Sequence, residues 1–239
     1  MAIYHDPVFA PIDLDHTLER LGGGNETEVY RSDDGRWVIK LKAQLGGSAA
    51  QAAQVAHDMR AAADEFAACL GPRASLSSAY LIARDQQGHA QVLVIQPFLE
   101  RAIPLAAIDY DALSREQRAE IACQLHEIIR RALVFYRHTR SMPDLYGRKS
   151  SSSAERQRNA SLLRVPQRVW SFLVERNLLR SQNLMLSPNG DIVLVDYDIV
   201  RRGRLYRAVY FGVRWMLFWR DNMLVWAMRE GGTVPGKAG

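Results

Sequence analysis

The chain has 239 residues, of which 48% are hydrophobic and 24% are charged, so it can fold around a substantial core and is not disordered throughout. The formal net charge of +5 is uneven: residues 148–239 carry 16 Lys and Arg against 7 Asp and Glu, whereas residues 1–147 carry 15 against 19. A basic C-terminal half suits phosphate groups, an acidic protein or an anionic membrane surface, although a solvated basic face is commoner.

The two cysteines and the N-terminal sequence indicate a protein of a reducing, cytoplasmic compartment. Cys69 and Cys123 each stand within an apolar pattern of helical period, so we expect two small buried side chains. The first residues lack a basic stretch followed by an apolar run, so no secretory signal is predicted. Residues 208–228 are apolar and aromatic, but Arg214, Arg220 and Asp221 interrupt them, which argues against a transmembrane helix.

The first predicted elements are a glycine-rich β-hairpin and a strand that carries a lysine. Three glycines at 22–24 precede a short β-prone run, a turn follows at 33–35, and residues 36–42 form the next strand around Lys40. Glycine lets the backbone approach a phosphate closely, although a flexible surface turn is at least as common a reason for such a triplet.

A helix and two further strands are predicted next. Ser48 is the expected N-cap of a helix that ends before the Gly-Pro pair at 71–72. Near its C-terminal end, Asp64 and Glu65 either face solvent or pair with a strand lysine. Two strands and a proline-containing connector then follow, at 78–83, 91–95 and 96–100.

The second half of the chain is predicted to be mainly helical. A long helix begins at Asp111 or Ser114, and another covers 165–179 after a polar loop at 149–153. The last helix, residues 204–229, is apolar on most of its circumference. This pattern favours a packed core helix over one that lies on a membrane.

A hairpin before that last helix brings polar residues to one end of two strands. Residues 184–186 and 192–195 are apolar, and the Pro-Asn-Gly between them predicts a tight turn. Asn183 and Asp196 are therefore expected side by side, with Asp198 nearby. Amide and carboxylate oxygens suit Mg²⁺ better than zinc, so the hairpin is a candidate magnesium site, with a polar surface hairpin as the alternative.

The order of these elements resembles that of the protein-kinase-like superfamily, which includes protein kinases and the aminoglycoside and choline kinases. The resemblance covers about residues 21–200, rests on spacing more than on identity, and is to a compact, bacterial-type kinase or pseudokinase. It implies an α+β fold with two lobes, an antiparallel β-sheet lobe and a mainly helical, truncated lobe. We expect a nucleotide-binding lobe at 1–100 and a helical lobe with the metal-binding hairpin at 101–239.

The resemblance also implies an ATP site. Against the glycine-rich loop of the family, Gly22, Gly24 and Val29 match, whereas Thr27 stands where the third glycine is expected. Lys40 matches the lysine that holds the α- and β-phosphates, and Glu65 is the expected carboxylate partner, with Asp64 as the fallback. The residues predicted to bind the nucleotide are Gly22, Gly23, Gly24, Lys40, Glu65 and Gln96.

Within the hairpin, Asn183 and Asp196 match the two metal-binding residues of the family, where the Asp-Phe-Gly motif reads Asp-Tyr-Asp. With that alignment Leu178 stands where the family has its catalytic aspartate, and Arg180 matches a basic residue that contacts the transferred phosphate. The predicted metal ligands are Asn183, Asp196 and Asp198, and the predicted catalytic residues are Asp196, Arg180 and Asp144.

Three explanations of Leu178 stay open at this stage. The protein binds nucleotide without transferring phosphate, as pseudokinases do; Asp144 or Asp198 supplies the acid; or the loose transition state needs no strong base. The leading hypothesis is a phosphotransferase that uses ATP and Mg²⁺ and acts on the hydroxyl of a protein or small molecule. The alternatives are a nucleotide-binding regulatory module and a basic scaffold on a membrane or nucleic acid, which is less favoured.

Overall fold

The computed structural model describes residues 19–23, 28–42, 48–84, 88–147, 176–197 and 203–232. The chain divides into two compact units. The first unit comprises Met1–Glu65 and Leu76–Leu99, and the second comprises Phe66–Ser75 and Glu100–Gly239. Several sequence predictions fall outside the described residues, namely Gly24, Thr27, the polar loop at 149–153, most of the helix expected at 165–179, and Asp198.

The first unit is built on a five-stranded antiparallel sheet in the order β1-β2-β3-β5-β4. The strands are β1 (Glu19–Gly23), β2 (Glu28–Arg31), β3 (Trp37–Lys42), β4 (Ala79–Arg84) and β5 (Ala90–Pro97). Successive residues of a strand point to opposite faces. Because Val92, Leu93 and Val94 are all buried, both faces of β5 are covered.

The predicted turn between β2 and β3 is present and is held by its own side chains. Gly35 has a φ of 68°, and its N–H donates to the carbonyl of Ser32 at 2.8 Å. Asp34 accepts hydrogen bonds from the Ser32 hydroxyl at 2.6 Å and from the N–H of Arg36 at 3.0 Å. These bonds lower the pKa of Asp34 to about 2, with the bond from Ser32 having the largest effect.

Helix α1 (Ala49–Leu70) begins after Ser48, whose hydroxyl accepts a hydrogen bond from the N–H of Gln51 at 3.3 Å, as expected of an N-cap. The last turn of α1, from Phe66 onward, belongs to the second unit, where the Phe66 ring packs edge-on against Phe135 with 6.3 Å between centroids. One face of the helix is buried, through Ala52, Val55, Ala56, Met59, Ala63, Phe66 and Leu70.

The second unit combines two long helices with a small sheet. Helices α2 (Arg115–Thr139) and α3 (Arg204–Arg229) pack together, and the antiparallel sheet has the order β6-β7-β8. Its strands are β6 (Ile103–Pro104), β7 (Leu184–Leu186) and β8 (Ile192–Leu194). Between the two helices, a ring nitrogen of His126 lies 2.9 Å from the amide oxygen of Asn222, so this histidine is part of the packing.

Of the two predicted caps of α2, Ser114 is the one used. Its hydroxyl accepts from the N–H of Gln117 at 3.2 Å, and the Gln117 side chain accepts from the N–H of Ser114 at 2.9 Å, which completes a capping box. The buried positions of the helix recur at helical spacing, through Ile121, Ala122, Leu125, Ile128, Ile129, Ala132 and Leu133.

The predicted fold class is confirmed, since an antiparallel sheet unit is followed by a mainly helical α+β unit. Two packing predictions need correction. Cys123 is exposed rather than buried, because it lies on the outer face of α2, while Cys69 is partly buried. Helix α3 buries one face only and is therefore not enclosed as a core helix. No helix within the described ranges combines the length and the apolar character needed to cross a bilayer.

Candidate functional site

The hairpin of the second unit brings Asn183 and Asp196 to the same end of two strands. Leu184 of β7 pairs with Leu194 of β8, and the N–H of Val195 donates to the carbonyl of Asn183 at 2.9 Å. Asn183 immediately precedes β7, and Asp196 follows β8 by two residues. The local sequence is sufficient for this geometry, because the Pro-Asn-Gly turn fixes the register of the pair.

The loop before Asn183 is folded around the buried hydroxyl of Ser181. This oxygen accepts from the N–H groups of Asn183 at 3.1 Å and Leu184 at 2.9 Å, and the hydroxyl donates to the carbonyl of Leu145. From the other side, the Tyr110 hydroxyl donates to the carbonyl of Leu179 at 2.9 Å. The loop is therefore fixed by hydrogen bonds on both sides and holds Asn183 in one position.

A second segment, residues 142–147, runs beside this loop and brings Asp144 to Asn183. The N–H of Gln182 donates to the carbonyl of Tyr146 at 3.0 Å, and Nδ2 of Asn183 donates to the carbonyl of Asp144 at 2.8 Å. Gly147, with a φ of 68°, lies directly against Asn183: a Cβ at this position would be 2.8 Å from Cγ of Asn183. Only glycine fits here without moving the asparagine.

The carboxylate of Asp144 is paired with a buried arginine of helix α3. Nη2 of Arg214 lies 2.9 Å from Oδ1 of Asp144, and the guanidinium carbon lies 4.3 Å from the ring centre of Tyr146. Nη2 also donates to the Tyr210 hydroxyl at 2.5 Å. Burial by itself lowers the pKa of Arg214, but the attraction of Asp144 and the two tyrosines outweighs burial and raises it.

A second carboxylate, Asp221, fixes the same region from the next turns of α3. It is fully buried and accepts hydrogen bonds from the Tyr146 hydroxyl at 2.5 Å and from Nη2 of Arg220 at 2.6 Å. The main chain of Leu178 also donates a hydrogen bond to Asp221. Burial raises the pKa of Asp221, and burial together with the charge of Asp221 raises the pKa of Tyr146 well above its usual value.

Arg214, Tyr146 and Asp221 were missed as site residues by the sequence analysis. The signal was present in Arg214, Arg220 and Asp221, three charges within a mainly apolar and aromatic stretch, which above serve only as an argument against a transmembrane helix. Buried charges in a helix need partners, so such charges point to a polar contact with another segment. The sequence alone does not identify that segment.

Leu178, at the position where the resemblance expects a catalytic aspartate, is fully buried in the short 3₁₀ turn Leu178–Arg180. Its neighbour Asn177 is also buried, and within the described part of the chain its amide oxygen and nitrogen have no hydrogen-bond partner. Arg180 is partly buried, and its charge lowers the pKa of Tyr110, although burial has the larger effect and raises it. No acid therefore occupies the expected catalytic position.

The predicted site residues of the first unit are distributed over its sheet and helix. Gly22 and Gly23 end β1, where they pair with Val29 and Glu28. Lys40 lies on β3 and is partly buried between Val29 and Val94 of the neighbouring strands. Gln96 is buried on β5.

The structure shows the surroundings of three predicted side chains, those of Gln96, Glu65 and Asp64. Nε2 of Gln96 donates to the Ser78 hydroxyl at 2.8 Å, so one of its amide groups is used inside the unit. Glu65 and Asp64 are both exposed on α1, away from the face that buries Met59, and Asp64 lies 3.9 Å from Arg60. Of the two alternatives for these acids, the structure favours the solvent-facing one.

The metal prediction rests on few ligands. Among the residues that the structure describes, no three His, Cys, Asp or Glu side chains are grouped as a metal site would need. With Nδ2 of Asn183 donating to Asp144, its Oδ1 is the acceptor, so Asn183 and Asp196 offer one amide and one carboxylate oxygen. This donor set fits Mg²⁺, which keeps several waters and often takes only one or two carboxylates with substrate phosphates.

Comparisons with known proteins identify no family. No protein-family model matches the sequence, and no curated protein matches it. Among solved structures, the MAP kinase LmaMPK10 from Leishmania major is similar with a TM-score of 0.40 and 12% identity, over 77% of this chain and 46% of that chain. The chain thus spans less than half the length of that kinase, and a likeness this distant says nothing of what the chain does.

Proposed function

We propose that the chain is a kinase-like phosphotransferase that uses ATP and Mg²⁺ and phosphorylates a hydroxyl group. The observation that carries the proposal is the hydrogen bond of 2.8 Å from Nδ2 of Asn183 to the carbonyl of Asp144. It joins the candidate metal-binding hairpin to a segment that supplies a carboxylate, although the two residues are 39 positions apart. Phosphoryl transfer needs mainly positioning and charge stabilisation, which this arrangement supports.

In the proposed site, Asn183 and Asp196 would hold the metal ion through an amide and a carboxylate oxygen, with Asp198 as a further predicted ligand. Mg²⁺, when bound, neutralises the phosphate oxygens. Arg180 is proposed to contact the transferred phosphate. Lys40 on β3 remains the residue predicted to bind the α- and β-phosphates.

Asp144 is the proposed general base of the reaction. The hydroxyl oxygen of the substrate attacks the γ-phosphorus, the bond from that phosphorus to the β–γ bridging oxygen breaks, and ADP leaves. The hydroxyl proton passes to the carboxylate of Asp144. The ion pair with Arg214 at 2.9 Å orients this carboxylate, whose side chain keeps 16% of its surface exposed.

The second candidate is a regulatory protein that binds nucleotide without turnover. Two observations favour it: Leu178 is fully buried, and the carboxylate of Asp144 is already engaged by a buried arginine. In that case Asp144 and Arg214 only stabilise the second unit.

Labelled ATP separates the two candidates. The full chain, incubated with Mg²⁺ and γ-labelled ATP, should label itself or a hydroxyl substrate, or release labelled phosphate. Asp196→Ala should abolish this signal, and Asp144→Asn should lower it by at least ~100-fold, as expected for loss of a general base. Asp191→Asn, at the turn end of the same hairpin, is the control and should keep the signal.

Persistence of the signal in Asp196→Ala would rule out the proposed metal site. A thermal stabilisation by ATP and Mg²⁺ without turnover at any metal concentration would support the second candidate instead. Whether or not the chain turns over ATP, Lys40→Ala should weaken the thermal stabilisation by ATP if the β3 lysine binds phosphate.

A further inference from the structure

Helix α3 carries a continuous apolar stripe on the side that faces away from the core. Its members, here called the outer stripe, are Leu205, Val209, Met216, Trp219, Met223 and Trp226, which are between 48% and 81% exposed. With Gly212 they are spaced alternately by four and three residues, so they lie along one side of the helix. The stripe is about 30 Å long at 1.5 Å per residue.

The opposite face of α3 already anchors the helix in the second unit. Phe211, Phe218, Val225 and Met228 are buried there, together with the hydrogen-bonded Asp221. Most of the surface of the outer stripe therefore lies outside this packing. Single exposed apolar residues are common on soluble proteins, but a contiguous row of large side chains is typical of an interaction surface.

The charges near the stripe are mainly basic, and the exposed acid nearest to its end is Glu230, directly after the helix. Arg201, Arg202, Arg204 and Arg207 fall within seven residues at the start of the helix, and the last two are exposed, whereas the first two lie outside the described residues. The only acid in the sequence of α3 is Asp221, which is buried. The exposed charge of α3 is therefore positive and complements an anionic surface.

Two features favour a lipid surface over a second copy of the chain. Two copies would bring mainly basic surfaces together. The flanking positions Tyr206, Ala208, Val213 and Trp215 hold no acid, and Glu230, directly after the helix, already lies 3.7 Å from Arg229. Tryptophan also prefers the interface between lipid and water, where its ring is buried and its N–H is hydrated. A nucleic acid would use the arginines but not an apolar row of this length.

We propose that α3 docks the protein onto an anionic lipid bilayer, lying along its surface with the outer stripe in the interface and the arginines toward the headgroups. Long arginine side chains reach the headgroup level from the flank of a helix while their stems cover apolar surface. This inference is independent of the phosphotransferase proposal and holds whether or not the chain turns over ATP.

Flotation with vesicles tests the docking. The full chain should bind vesicles in which about a third of the lipid is phosphatidylserine at least ~10-fold more tightly than vesicles of phosphatidylcholine alone, and less tightly as salt rises. Met216→Glu combined with Met223→Glu should reduce binding by at least ~10-fold. Arg204→Gln combined with Arg207→Gln should also reduce it by about 10-fold or more.

Matched controls lie on α2. Val134→Glu introduces a carboxylate at an apolar residue that is 42% exposed, and Arg115→Gln with Arg137→Gln removes two exposed arginines; both variants should bind as the unchanged chain does. Quenching of tryptophan fluorescence by lipids with brominated chains can be measured on the unchanged chain, so it does not depend on whether a variant of the stripe folds. It should be strong for the unchanged chain and weaker in Trp219→Phe combined with Trp226→Phe.

Several results would overturn the docking proposal. One is the absence of binding to phosphatidylserine vesicles at low salt. Another is vesicle binding that causes no quenching of tryptophan fluorescence and that is equally strong in the variant with Met216→Glu and Met223→Glu. A dimer in solution that the methionine variant converts to monomer, without vesicle binding, would assign the stripe to a second copy. Binding to DNA or RNA but not to vesicles would assign the arginines to a nucleic acid.

Discussion

The two units of the chain hold their polar side chains in different ways. In the sheet unit, Asp34 bonds to residues only two positions away and is exposed. In the helical unit, the Tyr146 hydroxyl reaches Asp221 across 75 positions, and Asn183 reaches Asp144 across 39. Buried hydrogen bonds are costly to leave unmade and so fix geometry strongly. The helical unit is therefore the part of the chain in which a precise polar site is already formed.

The largest difference in stability between the two units is expected when one carboxylate is removed from each. Asp221→Ala deletes the buried acceptor shared by Tyr146 and Arg220, and should lower the free energy of unfolding by about 3–5 kcal/mol. Asp64→Ala removes an exposed partner of Arg60 and should change it by less than ~1 kcal/mol. Denaturant unfolding measures both, and equal losses would mean that the buried network does not stabilise the helical unit.

A pair of glycines gives the next largest contrast. Gly147 and Gly88 both have positive φ, of 68° and 83°, so alanine is strained at either position, by about 1–2 kcal/mol. A Cβ at Gly88 meets nothing within 4 Å, whereas one at Gly147 would collide with Asn183. Gly147→Ala should therefore cost about 1–3 kcal/mol more than Gly88→Ala.

The same pair of variants can be followed at the site. The side-chain amide resonances of Asn183 should move in the NMR spectrum of Gly147→Ala and stay in place in Gly88→Ala. Unmoved resonances in both variants would contradict the close packing of Gly147 on the asparagine.

Substitution of two buried amide side chains should lower stability by similar amounts but affect ligand binding differently. Asn183 and Gln96 each donate one hydrogen bond of 2.8 Å, so alanine at either position should cost about 1–2 kcal/mol. Asn183→Ala should also abolish the Mg²⁺-dependent part of any thermal stabilisation by ATP, whereas Gln96→Ala, at a residue predicted to bind the nucleotide, should weaken the stabilisation and leave its Mg²⁺ dependence in place. Equal loss of the Mg²⁺ dependence in both variants would contradict the assignment of the metal to Asn183.

The smallest contrast is in pH dependence, where the two units should show opposite signs. Burial raises the pKa of Asp221 in the folded state, so the stability contributed by this group falls as pH rises above 3.8. Hydrogen bonds lower the pKa of Asp34 from 3.8 to about 2, so its contribution is lost as pH falls through that interval.

Carboxyl-carbon NMR titration measures both groups directly. Asp34 should titrate near 2 and Asp221 above 3.8, and Asp221→Asn should remove the fall in stability above that pH. Titration of Asp221 below 3.8 would show that its hydrogen bonds outweigh its burial.

The sequence by itself determined the features that depend on neighbouring residues. The turn at Gly35, the cap at Ser48, and the hairpin that sets Asn183 beside Asp196 follow from local φ preferences and short side-chain hydrogen bonds. For α2 the sequence narrowed the cap to Asp111 or Ser114. The sequence also predicted the helical spacing of the buried residues of α2, because burial on one face repeats every three or four positions.

Only the tertiary structure decided which distant residues meet. The approach of Asp144 to Asn183, the pairing of Arg214 with Asp144, and the burial of Leu178 all depend on how α3 and the loops pack, and no local pattern encodes that choice. The sequence also did not predict which side chains are exposed: Glu65 faces solvent, and α3 leaves one apolar side uncovered. A helical pattern predicts which residues share a face, but only contacts between elements determine which faces are buried.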